Sequence, residues 1–206
     1  MPLTSTLHLY ADSRIAEFDR IEDRRRALLQ EMSQVLRADW QAGRTLRLVF
    51  ICTHNSRRSH IAQLWAAVAA DYYDVHPVET WSGGSEATAF NPRAVEALRD
   101  AGFSIEGDAA QENPRYQVKF GGDKLLECFS KKYDAPPNPS EQFYAIMTCS
   151  EADQACPVVL GSLKRFALTY EDPKEADDTP EEADRYKERV AQIGREILYL
   201  FSRIVE

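Results

Sequence analysis

The chain has 206 residues, 44% of them hydrophobic and a formal net charge of −8, enough for one full domain with a sizeable core. The acidic balance argues against non-specific nucleic-acid binding, and no apolar run approaches the ~20 residues that span a bilayer. Four cysteines and an N-terminus without the basic and apolar parts of a secretory signal point to a reducing cytoplasm.

In residues 1–45, Ile15, Phe18, Ile21, Leu28, Leu29, Met32, Val35 and Leu36 recur at near-helical spacing. They predict one long amphipathic helix ending near Gly43. It carries the basic cluster Arg24-Arg25-Arg26, read as a solvated face on a helix docked against the main domain. A dimer contact is the alternative, and the oligomeric state stays open. Residues 46–206 form the main domain. Its first strand is the apolar run Leu46 to Ile51, which leads into Cys52-Thr53-His54-Asn55-Ser56-Arg57-Arg58-Ser59, and a helix starts at His60. Glu79 to Gly84 read as the second strand and its turn, and Asn91-Pro92 opens a helix from Arg93 to Ala101, closed by Gly102.

Residues 113–142 look like an insertion. Tyr116 to Phe120, then Gly121-Gly122, suggest the arm and turn of a hairpin, followed by a helical piece through Cys128 and a proline-rich stretch, Pro136 to Pro139. Cys128 is most simply a packing residue, with a third redox thiol left open. Phe143 to Thr148 is another buried strand, followed by Cys149 and Cys156-Pro157. An apolar run, Phe166 to Thr169, precedes Glu171-Asp172-Pro173. The acidic stretch Glu171 to Glu182 reads as a solvated loop, and the helix Glu181 to Val205 completes the domain with Ile193, Ile197, Leu200, Phe201 and Ile204 inward.

The segment after the first strand carries the chemistry. A lone Cys is usually a small buried hydrophobe. Here polar residues and two arginines follow it, which a buried loop would not accept without partners. A strand can deliver the Cys52 thiol to the sheet edge. The backbone N–H groups of Thr53, His54, Asn55, Ser56 and Arg57 can wrap a tetrahedral anion, and Arg58 can grip two of its oxygens. The positive end of the following helix points into the same loop, and the Ser59 hydroxyl can donate to the sulfur. All of this favours a nucleophilic thiolate.

At these residues, from about Leu46 to the C-terminus, the chain resembles the low-molecular-weight protein tyrosine phosphatase superfamily. The resemblance implies an α/β fold, a doubly wound open parallel sheet with helices on both faces and the anion loop after the first strand. His54 stands where that family usually has Gly, so positive φ there would strain the loop. Arg57 stands where it often has a second Cys, and adds positive charge near the mouth. The segment Cys149 to Pro157 resembles the redox segment of the thioredoxin-coupled arsenate reductases. The resemblance implies Cys149 as the first resolving thiol, Cys156 as the second, and thioredoxin as partner. In a helix these cysteines would sit roughly 10 Å apart along the axis. A disulfide needs Cα atoms within about 7 Å, so bridging requires unwinding, which the short segment and Pro157 make affordable. The family also implies that the Asp before Pro, here Asp172, protonates the leaving oxygen.

Related reductases can hold a potassium ion near this loop, at positions matched by Asn55, Gln63 and Ser82. Gln63 replaces a charged Glu, so the simpler reading is that Asn55 braces the loop. No CxxC pair or His at ligand spacing supports a metal. The rival activity is hydrolysis of phosphomonoesters by the same Cys52, Arg58 and Asp172. Lys174 and Glu175 follow Asp172-Pro173 where family phosphatases usually place aromatics, leaving Tyr116, Tyr133 or Tyr144 to wall a phosphotyrosine slot. A non-enzymatic redox-sensing or anion-binding module is the third reading.

Overall fold

A computed structural model describes residues 3–108, 110–122, 124–156 and 158–206. Pro157, expected to end the helix after Cys149, lies outside the described residues. Four strands form a parallel sheet in the order β2-β1-β6-β7: β1 (Leu46–Cys52), β2 (Val78–Gly84), β6 (Phe143–Met147) and β7 (Ser162–Ala167). The buried run of β1 suits a strand covered on both faces. Alternation divides its side chains between two cores. Leu46, Leu48 and Phe50 enter the larger one with Tyr144 and Ile146, while Val49 and Ile51 enter a smaller one with Phe143, Ala145 and Met147. The strand order reverses at β1, which has β2 on one side and β6 on the other. In open α/β sheets that switch point opens a crevice beyond the carboxyl ends of the strands.

The larger core is covered by α3 (Arg58–Tyr72) and α6 (Glu182–Val205), with α4 (Pro92–Asp100) packed beside α6. Asn91 caps α4 and Gly102 follows it at φ 106°, as the Asn-Pro…Gly punctuation predicts. Residues 1–45 form two helices, α1 (Ser5–Ile15) and α2 (Asp23–Gln41), where the spacing predicts one. Thr4 caps α1, and a 3-10 turn at Phe18–Arg20 breaks the run. Arg26 donates to the carbonyls of Phe18 and Ile21, so the turn's orphan acceptors are satisfied by a side chain. Arg25 reaches the Thr169 carbonyl at 2.6 Å, so two of the three clustered arginines work as braces instead of a solvated face. Leu7, Ala11, Leu29, Met32 and Leu36 are fully buried in the larger core. Their burial is worth on the order of 10 kcal/mol before chain entropy, which ties this segment firmly to the main domain.

A second, antiparallel sheet has the order β3-β4-β5, from β3 (Ser104–Glu106), β4 (Tyr116–Lys119) and β5 (Leu125–Cys128). The expected helical piece through Cys128 is therefore a strand. Pairing of Tyr116 with Cys128 and Val118 with the partly buried Leu126 aligns side chains that an isolated helical turn would have left unpaired. Gly122, at φ 53°, lies in the expected hairpin connection. The remaining helix, α5 (Ser150–Ala155), follows β6 and packs on β1 and β6.

Candidate active site

Cys52 ends β1 at the switch point, almost fully buried, with its Sγ 3.1 Å from Ser59 Oγ. Asn55 sets that contact. Its Oδ1 accepts from the Lys131 backbone N–H at 2.9 Å, a group that can only donate, which leaves the Asn55 amide to donate to Ser59 Oγ at 2.9 Å. The Ser59 proton is then available to donate to the Cys52 sulfur. Asn55 has φ 46°, so the positive φ of the loop falls on Asn55 and not on His54. Asn tolerates this region, and the His54 position carries no such strain.

Thr53 to Arg57 form an irregular bend, and Arg58 opens α3. Among the described residues no protein group accepts from the amides of His54, Asn55, Ser56 or Arg57. Unpaired loop amides beside a helix N-terminus make an anion cradle. The close approach of β2 requires glycine: a Cβ on Gly84 would stand 2.6 Å from Thr53 O and 2.7 Å from Asn55 N.

Arg58 is buried and held from the opposite wall, donating to Tyr170 O at 2.9 Å and to Asp172 Oδ2 at 2.6 Å. Asp172 caps the 3-10 turn Pro173–Ala176, its Oδ1 accepting from the Lys174 N–H at 3.1 Å. The acid expected from sequence thus stands directly beside the arginine, and Glu171 turns away to Arg189 at 3.3 Å. Arg57 is not a loose charge at the mouth. It donates to Tyr186 Oη at 2.8 Å and lies 3.5 Å from Asp177, which also accepts from Tyr186 Oη at 2.8 Å. The acidic stretch is correspondingly not a free solvated loop, because Asp177, Asp178 and Glu182 all pair with Arg93.

Cys149 caps the N-terminal end of α5 and Cys156 its C-terminal end. Cys149 is fully buried, 3.5 Å from Thr53 Oγ1, and its Sγ accepts from the Ala152 N–H at 3.4 Å. Burial pushes the Cys149 thiol up, the Thr53 hydroxyl, the Ala152 amide and the Arg58 guanidinium pull it partway back, and Cys52 adds the smallest push, upward. Cys52 and Cys149 belong to the smaller core, and Cys156, half-buried, packs against it. Cys128 lies in the other core, fully buried, its thiol pushed up by burial to about 12, which makes it a packing residue.

Sequence reading missed the brace under the loop. Ser130 Oγ donates to His54 O at 3.0 Å and accepts from the Thr88 N–H, while Asn113 grips both backbone groups of Ser130. These partners lie 17 to 76 residues apart in the chain, and no spacing pattern marks them. The residues weighed for a cation are mostly engaged: Asn55 as above, Ser82 Oγ with His60 Nδ1 at 3.0 Å, and Gln63 through its amide with Thr80 O at 3.1 Å. Of these side-chain oxygens, only Gln63 Oε1 is buried without a partner among the described residues. His60 is fully buried and held well below its ordinary range by burial and then by the Lys131 ammonium. Of the three tyrosines that could wall a slot, Tyr116 is buried against Phe90 and Tyr144 donates to Asp39, leaving Tyr133 beside the cysteines.

No family model matches the chain. An arsenate reductase of Bacillus licheniformis is 31% identical over 152 residues, 73% of this chain and 91% of that one. Arsenate reductase 2 of Staphylococcus epidermidis is 30% identical over 128 residues, 61% and 77% of the two chains. Among solved structures, a mutant of YwlE from Bacillus subtilis superposes with TM-score 0.53 at 17% identity, covering 78% of this chain and 99% of that one. An arsenate reductase in the phosphate-binding state gives 0.50 at 16% identity, covering 77% and 98%. The structural likenesses carry the fold, which is also that of a low-molecular-weight phosphotyrosine phosphatase, and the sequence likenesses carry the family: the chain belongs to the arsenate reductase family.

Proposed function

We propose that this enzyme reduces arsenate to arsenite with three of its cysteines and hands the resulting disulfide to thioredoxin. The observation that carries the reading is the gathering of Cys52, Cys149 and Cys156 on one small core beside Arg58 and Asp172, with Cys149 and Cys156 at the two ends of one short helix. Arsenate enters the loop amides and draws the Arg58 guanidinium from Asp172. The Cys52 thiolate attacks arsenic, a sulfur–arsenic bond forms, and the departing hydroxyl leaves as water with the proton from Asp172. Cys149 then attacks Cys52 Sγ. The new disulfide takes the two sulfurs, the electron pair of the sulfur–arsenic bond stays on arsenic, and As(V) becomes As(III).

Bonding Cys52 to arsenic also removes its thiolate charge, one of the influences that hold the Cys149 thiol up. Cys156 finally attacks Cys149, releasing Cys52 as thiolate and leaving a Cys149–Cys156 disulfide for reduction. Free thiols of this kind suit the cytoplasm. Among the described residues no helix is long and apolar enough to cross a membrane.

Hydrolysis of a phosphomonoester would use Cys52, Arg58 and Asp172 in the same way and end with water. With Lys174 and Glu175 in the turn after Asp172, Tyr133 is the one of the three tyrosines weighed that stands beside the cysteines to wall an aromatic substrate. The test is arsenate-dependent NADPH oxidation with thioredoxin and thioredoxin reductase, run beside hydrolysis of p-nitrophenyl phosphate. Sustained NADPH loss supports the reductase. Rapid phosphate release with no arsenate turnover would replace it with the hydrolase.

A further inference from the structure

The last step of that sequence has a geometric obstacle, and one residue enforces it. Cys149 and Cys156 flank α5 and lie roughly 10 Å apart along its axis, against about 7 Å for the Cα atoms of a disulfide. The helix ladder is intact, with Asp153 N donating to Cys149 O and Cys156 N to Ala152 O, both at 3.0 Å. Helix C-termini leave carbonyls without partners. Here they are taken by Arg165, whose own strand β7 is paired to β6. Its Nε donates to Cys156 O at 3.0 Å, its Nη2 donates to Asp153 O at 2.5 Å, and the same nitrogen pairs with the Asp153 carboxylate.

We propose that Arg165 is a latch on α5, a positioning residue that holds the helix closed until the Cys52–Cys149 disulfide has formed. The proposal rests on the reading that Cys149 and Cys156 form the final disulfide. Both carbonyls that Arg165 holds belong to the segment that must unwind, so bridging forfeits its contacts. While the latch is shut, Cys149 stays at the cradle beside Thr53 and Cys156 stays at the far end of the helix. The two thiols are thereby kept from oxidising each other before arsenate has reacted, which would strand the enzyme without its first resolving thiol. After Cys149 is spent on Cys52, unwinding lets the Cys156 thiolate attack Cys149 Sγ, with Cys52 as the leaving thiolate.

The test is the equilibrium between the Cys149–Cys156 dithiol and its disulfide in dithiothreitol redox buffers, read by alkylation and peptide mass spectrometry. A Cys52→Ser background isolates the pair. Arg165→Met removes all of these contacts, whereas Asp153→Asn removes the carboxylate pairing and leaves the two carbonyls. Arg165→Met is expected to favour the disulfide by about tenfold, a potential roughly 30 mV more negative, and Asp153→Asn to shift it the same way by less. Arg165→Lys should fall between, because a point charge cannot span two carbonyls and a carboxylate. A residue that merely stabilises the fold would lower the melting temperature and leave the potential in place. A disulfide equilibrium constant for Arg165→Met within about twofold of the parent, a potential shift under about 9 mV, would overturn the latch. If the parent forms no Cys149–Cys156 disulfide even in strongly oxidising buffer, the resolving mechanism falls and the latch with it.

Discussion

Asn55→Ala is the sharpest test of how the anion loop is held. The substitution leaves the Lys131 N–H without its acceptor and Ser59 Oγ without its donor, both in buried surroundings. Each orphaned group costs about 1 to 3 kcal/mol. The alanine must also adopt the φ of 46° that Asn55 holds, at about 1 kcal/mol more. The expected loss is therefore about 3 to 7 kcal/mol of unfolding free energy, read from urea denaturation midpoints at constant slope. Asn55→Gly loses the same two hydrogen bonds but accepts the backbone conformation, so it should be the milder variant by about 1 kcal/mol. Both variants should also lose activity, because Ser59 is no longer oriented toward Cys52. An Asn55→Ala protein within about 1 kcal/mol of the parent would refute the hydrogen-bond accounting. Equal stability of the two variants would refute the backbone part.

Arg58→Lys forfeits the paired contacts to Tyr170 O and Asp172, and a lysine cannot grip two anion oxygens. Steady-state kcat/KM for arsenate should fall about a hundredfold or more, and an activity within a fewfold of the parent would contradict the assigned role. His60 predicts a pH dependence. Its folded form is neutral because burial and Lys131 depress its pKa, whereas the unfolded chain takes up a proton below about 6.5. The unfolded state then binds more protons, so stability falls as pH drops through that value, by up to about 1.4 kcal/mol per pH unit. His60→Gln should show a shallower decline between about pH 6 and 5 in denaturation experiments, and parallel curves would contradict the buried neutral imidazole.

The parts legible in the sequence are those written in contiguous residues. The apolar run of β1, the polar loop behind Cys52 and the start of α3 are local signals, and the structure joins them at the switch point. Cys149 and Cys156 at the two ends of α5 were readable for the same reason, as was Asp172 before its proline. What escaped reading depends on pairing across the chain. The strand β5 exists because it finds β4, and the four residues Leu125 to Cys128 carry no period long enough to say so. The break between α1 and α2 is sealed by Arg26 reaching back to Phe18 and Ile21. The acidic stretch looked solvated because its partner Arg93 lies on another element, as does Tyr186, the partner of Arg57. The Ser130–Lys131 brace and the Arg165 contacts are tertiary in the same sense, and neither residue type nor spacing announces them.

The central claim is that Cys149 resolves the Cys52 adduct, and Cys156→Ser isolates that step. Rapid-quench mixing of this variant with arsenate, without reductant, would count arsenite released per chain, and peptide mass spectrometry would map the disulfide. The account predicts a single equivalent of arsenite and a trapped Cys52–Cys149 bridge, neither of which forms when Cys149 is also replaced by Ser. Arsenite release that persists in the Cys149→Ser protein, or a bridge that excludes Cys149, would contradict it.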